Sequence, residues 1–150
     1  AESSALDDDR FSITISVVSG TARQPSDAAG YNCETTPPPG LVYVISSDSM
    51  GRGSDELGWA LLQTYIQTIR DVQPLPSKIL LYNSGVKLVT SASGALEALR
   101  QLQELGVEIL ACGTCLDYFR LKSAIQVGQI SNMHEIMSAM AEAGRLVSPY

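Results

Sequence analysis

The run ILACGTCLDYF, Ile109 to Phe119, holds two cysteines, Cys112 and Cys115, separated by Gly113 and Thr114. Thiols at that spacing support four chemistries. They can close a reversible disulfide, supply half of a metal site, carry an activated sulfur as a persulfide, or sit in the core as inert side chains. Zinc is the weakest of the four, because a structural site wants four ligands and only His134 and Cys33 could complete it. No metal is therefore expected. A thiol that follows a strand and opens a helix has its pKa lowered by the helix terminus, which suits exchange chemistry. The pair lacks the CGPC or CPYC form of thioredoxin-like motifs, and the strand order is wrong for that fold. From these residues alone, carrier and redox switch stand level.

The elements that must position the pair are legible as apolar runs and amphipathic stretches. Leu41–Ser46, Lys78–Tyr82 and Val107–Cys112 are continuous apolar runs of strand length, and Val127–Ile130 is a shorter one. Between them lie three helical stretches: Ser54–Arg70, capped by Ser54; Ser93–Gly106, capped by Ser93 and stopped by Gly106; and Asn132–Ala143, stopped by Gly144. Met133, Ile136, Met137 and Met140 are expected on the buried side of the last. Continuous apolar strands alternating with helices predict an α/β domain over residues 41–150. Its sheet should be doubly wound and mostly parallel, of the flavodoxin or Rossmann kind, with four to five strands and helices on both faces. Ahead of it, Phe11, Ile13, Ile15 and Val17 alternate with polar residues as in a half-buried strand. Residues 20–40, with Pro37 to Pro39 and Cys33, read as a semi-rigid linker.

In such sheets ligands bind beyond the carboxyl ends of the strands. Those ends bring Ser46, Asp48, Met50 and Gly51, then Asn83, Ser84 and Gly85, then Cys112 and Cys115, then Asn132, to one edge. These residues are the expected lining of a polar pocket, although the same residue types also make turns and caps. A nucleotide cofactor is not expected. Gly51, Gly53 and Gly58 match neither GxGxxG nor a phosphate-binding loop, and Asp48, Asp55 and Glu56 would repel phosphate.

Composition narrows the partners. The 150 residues are 45% hydrophobic and 17% charged with a net charge of −6, which supports a packed core and argues against nucleic acid. No apolar run approaches the ~18 residues of a membrane span, and Ala1 to Arg10 is acidic, unlike a signal peptide. Three cysteines in a chain with a good core favour a reducing, cytoplasmic location over a secreted disulfide scaffold. On the first helix of the α/β domain, Leu57, Ala60, Leu61, Tyr65 and Ile69 form one apolar face, which Trp59, Leu62 and Ile66 widen. A face that broad predicts burial on two sides, with a second copy of the chain as the second cover.

The segments SSDSMGRGSDELG, KILLYNSGVKL, GVEILACGTCLDYF and ISNM, in this order and at these intervals, resemble the C-terminal domain of YedF-type selenium metabolism proteins. That domain is of the DsrE-like sulfur-relay superfamily, and the similarity runs from about Leu41 to Ala143. The resemblance implies a flavodoxin-like fold, a cytoplasmic trimer or hexamer, and a strand-end cysteine that accepts sulfur. Cys112 matches that acceptor by position and Cys115 the second cysteine of relatives carrying CGTC. It also implies a TusA-like sulfur-carrier domain or another persulfide donor as partner. The CPxP motif of TusA-like domains is absent, and FSITISVV, within residues 1–19, resembles only the last strand of one. Arg120 stands where relatives commonly have glycine after the aromatic pair.

Overall fold

Right-handed crossovers between parallel strands decide where each helix can lie. The computed structural model describes residues 40–90 and 93–150; the expected N-terminal strand, the linker and Cys33 lie outside them. Five strands form one sheet: β1 (Leu41–Ile45), β2 (Lys78–Leu81), β3 (Glu108–Cys112), β4 (Gln129–Ser131) and β5 (Arg145–Val147). Their order is β4-β3-β2-β1-β5, and every pairing is parallel. The chain steps from β1 to β4 in one direction, so α1 (Asp55–Thr68), α2 (Leu96–Glu104) and α3 (Gly113–Tyr118) fall on one face. The return to β5 crosses back past β1 and carries α4 (Met133–Ala141) to the other face. Order reverses at β1, between β2 and β5.

Burial follows from that layering. Ile45, Ile79, Leu80, Leu81, Ile109, Leu110 and Ala111 are sealed between helices, as a parallel sheet covered on both faces requires. On α1 the inward stripe is Gly58, Leu62, Ile66 and, just past its end, Ile69. Leu62 and Ile66, expected to widen an outward face, are thus core residues of the single chain, and Leu57, Trp59 and Leu61 are the exposed apolar side chains. Ser54 caps α1 by accepting the Leu57 N–H at 3.3 Å. On α4 the buried positions are Ile136 and Ala139, one turn apart, while Met133 and Met137 are exposed rather than buried. No helix among the described residues is long and apolar enough to cross a membrane.

Three other features depart from the sequence reading. α2 begins at Leu96, because Ser93 spends its hydroxyl on the Ala95 N–H at 3.0 Å and caps a turn instead of the helix. Asn83–Val89 is a 3-10 helix. It presses against β1 so closely that a Cβ on Gly85 would stand 2.3 Å from the Ile45 carbonyl oxygen. β5 was not foreseen, since three half-exposed residues after a helix-stopping glycine read as a tail. Gly106, by contrast, does end its helix, in the left-handed region at φ +92°.

Arg120 also adopts a left-handed conformation, at φ +57°. An L side chain there costs roughly 1–2 kcal/mol relative to glycine. Arg120→Gly should therefore stabilise the fold by about 1 kcal/mol after the added freedom of the unfolded chain is discounted. A urea unfolding midpoint that falls, instead of rising, would contradict this account.

Candidate functional site

Cys112 is the last residue of β3 and also the N-cap of α3, so strand passes into helix with no loop between. Its register partner on β4 is Ser131. That position buries it: Cys112 is 1% exposed. Gly113 lets the helix start this close to β4, since a Cβ there would lie 3.0 Å from Ile130 Cγ2 and 3.2 Å from the Ser131 carbonyl. One turn on, Cys115 is half-buried and lines a cavity of about 410 Å³ with Tyr82, Asn83, Thr114, Tyr118 and Phe119. Both thiols are free.

Cys115 Sγ accepts the Asn83 backbone N–H at 3.1 Å, and the neighbouring thiol, Cys112, sits three residues back across the first turn of α3. Asn83 delivers that N–H from a left-handed backbone, φ +49°, a conformation asparagine tolerates better than most residues. Burial pushes the Cys115 thiol above its ordinary pKa, the neighbouring Cys112 thiol pushes it the same way, and the Asn83 N–H opposes both. The net direction is up, opposite to the lowering that a helix start alone would give. Desolvation of the thiolate is the largest of these contributions.

Asp48 lines a second cavity, of about 340 Å³, whose wall also includes Trp59, Lys87, Thr90 and Ser93. Lys87 Nζ pairs with Asp48 at 2.8 Å and lies over the Phe119 ring, 5.0 Å from its centroid. The Asp48 N–H donates to Ser84 Oγ at 3.1 Å. Burial would raise the Asp48 pKa, but hydrogen bonds from Lys87, Ser84 and its own backbone, with the Lys87 charge, leave it below its ordinary value. Phe119 belongs to the walls of both cavities, so Lys87 braces the partition between them. The Tyr150 hydroxyl bridges the reversal point, donating to the Ser47 carbonyl at 2.8 Å and accepting the Ser47 N–H at 3.0 Å.

The residues expected at one pocket therefore divide. Cys115 and Asn83 share the first cavity, and Asp48 lines the second with Ser84 bonded to it. Gly85 is the close-approach residue behind them. Ser46 and Met50 are half-buried in the β1 loop and Gly51 is exposed in it; none lines either cavity. Asn132 caps α4, its Oδ1 accepting the Glu135 N–H at 2.9 Å, and is likewise outside both. Sequence reasoning missed Tyr82, Lys87, Thr114, Tyr118, Phe119 and Tyr150. Lys87 had a signal, as the lone cation inside the strand-end segment YNSGVKL. Among the described residues no cluster of three or more His, Cys, Asp or Glu side chains could hold a metal.

A parallel sheet with one order reversal, helices on both faces and a CxxC where the third strand meets its helix defines a doubly wound α/β domain. The DsrE/DsrF-like family profile matches residues 44–149, and the chain belongs to that family. Solved structures agree on the fold. MTH1491 from Methanobacterium thermoautotrophicum, described as of unknown function, is 20% identical, covering 73% of this chain and 97% of its own, with a TM-score of 0.54. The ychN protein from E. coli is 18% identical over 72% of this chain and 97% of its own, with a TM-score of 0.52. BT1422 from Bacteroides thetaiotaomicron, also of unknown function, is 16% identical over 72% and 93%, with a TM-score of 0.51. Among curated proteins none matches the chain.

The raised thiol pKa makes a prediction with a definite sign. The thiolate is the nucleophile, so the rate of Cys115 alkylation by iodoacetamide should climb with pH through a midpoint above the ordinary thiol value. A midpoint below it, read by mass spectrometry on Cys112→Ser protein, would show that the Asn83 N–H dominates burial.

Proposed function

We propose that this chain is a sulfur-relay carrier in which Cys115 accepts a sulfur as a persulfide and Cys112 is its buried partner. One observation carries the reading: of the two adjacent thiols, only Cys115 opens onto a cavity, and its sulfur already accepts a backbone N–H from Asn83. That N–H is placed to favour an anionic sulfur. Thr114 and Tyr82 add hydroxyls to a wall that Tyr118 and Phe119 make largely aromatic. Membership of the DsrE/DsrF-like family supports relay over storage or assembly. The roles are thus exchanged relative to the sequence expectation, which put the acceptor at Cys112.

The YedF-like segments extend the proposal to selenium as an alternative cargo, held as a selenopersulfide on the same atom. A TusA-like carrier domain or another persulfide donor would load it, in a reducing cytoplasm where free thiols persist. The second reading, a thiol–disulfide switch, draws on the CxxC spacing, which sets the two thiols across the first turn of α3.

Intact mass after exposure to a persulfide donor separates them. With Cys33 replaced by serine throughout, the parent protein and Cys112→Ser should each gain one sulfur, and Cys115→Ser none. Loss of two hydrogens in the parent with no sulfur ever added would favour the switch, and an adduct that survives in Cys115→Ser would remove Cys115 as the acceptor.

We further propose that copies of the chain associate through the outer side of α1, where Leu57 and Leu61, one turn apart, are exposed. Joint substitution of Leu57→Glu and Leu61→Glu should yield a monomer by light scattering that keeps the parent's far-ultraviolet circular dichroism. An unchanged assembly mass would reject this surface.

A further inference from the structure

Resting on the carrier reading above, we propose that Cys112 completes the cycle from inside the fold. It attacks the inner sulfur of a Cys115 persulfide, closes a Cys112–Cys115 disulfide, and expels the carried sulfur as hydrogen sulfide. The chain then acts as a reductive sulfide-releasing protein, not only as a courier between proteins.

The placement of the two thiols leads to this step. Cys112 is 1% exposed and lines neither cavity, so no external donor or acceptor reaches it. Among the described residues the neighbouring thiol is that of Cys115, three residues on across the first turn of α3, whose sulfur becomes the inner sulfur of a persulfide. The terminal sulfur occupies the cavity side, where about 410 Å³ gives the released molecule a way out. Residues three apart across the first turn of a helix fall within the roughly 4.4–6.8 Å Cα separation that a disulfide spans.

The step balances. The bond between Cys115 Sγ and the terminal sulfur breaks, and a bond between Cys112 Sγ and Cys115 Sγ forms. The terminal sulfur leaves with the bond pair and takes the proton that Cys112 gives up. The carried sulfane sulfur is reduced to sulfide while the two thiols are oxidised to a disulfide. A dithiol reductant then restores both thiols by ordinary exchange, entering at the accessible Cys115 sulfur.

Wild-type protein loaded with inorganic polysulfide, desalted without oxygen and followed over time by intact mass and a sulfide assay tests the proposal. The adduct carrying one sulfur should convert to a species lacking two hydrogens, with one equivalent of sulfide per loaded chain. Cys112→Ala should keep its added sulfur, releasing sulfide more than about tenfold more slowly because no internal thiol remains. Cys115→Ser should not load. A wild-type adduct that persists unchanged, or release from Cys112→Ala at the wild-type rate, overturns the internal step while leaving the carrier reading intact. Wild type that never loads overturns both. The wild-type time course decides the matter even if Cys112→Ala fails to fold.

Discussion

Cys112 belongs to β3 and α3 at once, and the chemistry of the site depends on that double membership. A strand that runs directly into a helix fixes the last strand residue by the ladder on one side and the helix on the other. The parallel register holds Cys112 against Ser131, and Gly113 brings the helix down onto β4 without a spacer. The first thiol is therefore sealed, and the second, one turn later, is the first that can meet a solute. Had a loop of two or three residues intervened, both sulfurs would have been exposed and the difference between them lost.

The wall facing Cys115 comes from the neighbouring strand end and is shaped by backbone more than by side-chain type. β2 ends at Leu81, and Asn83 turns into the left-handed region so that its N–H meets the sulfur. The 3-10 helix that follows can be this tight only because Gly85 has no Cβ to strike the Ile45 carbonyl. Its next turn sets Lys87 between the Asp48 carboxylate and the Phe119 ring, tying the β1 loop to the end of α3. Three strand ends are thereby braced around one sulfur. Asn132, at the fourth, is used up as a helix cap.

What the sequence disclosed follows the strength of each physical signal. Continuous apolar runs gave β1, β2 and β3 nearly to the residue, because strands buried on both faces have no polar alternation to blur them. Ser54 and Asn132 marked their helix starts because each side chain bonds a backbone N–H three residues on. β5 left no trace, since three residues paired along one edge need little hydrophobicity. The inward faces of α1 and α4 were drawn too wide: helical angle alone cannot tell which side of a helix apolar all round meets the sheet. Trp59 and Met137 fell outside while Gly58 and Ala139 fell inside, because close packing selects small residues where an element passes near. The identity of the exposed thiol was illegible for a related reason, as CxxC spacing does not say which member ends the strand's burial.

The raised pKa of Cys115 bears on the direction in which a persulfide there would break. Attack on the terminal sulfur expels the Cys115 thiolate, and a thiolate made costly by burial is a poor leaving group. Attack on the inner sulfur expels hydrosulfide, a weaker base, into an open cavity. An external thiol reaching the cavity meets the terminal sulfur and faces the first, harder path. Cys112, underneath, meets the inner sulfur and takes the second. The burial that makes Cys115 a sluggish nucleophile toward ordinary electrophiles thus also shields its cargo from casual transfer, and reserves the easier exit for the one thiol the fold has placed beneath it.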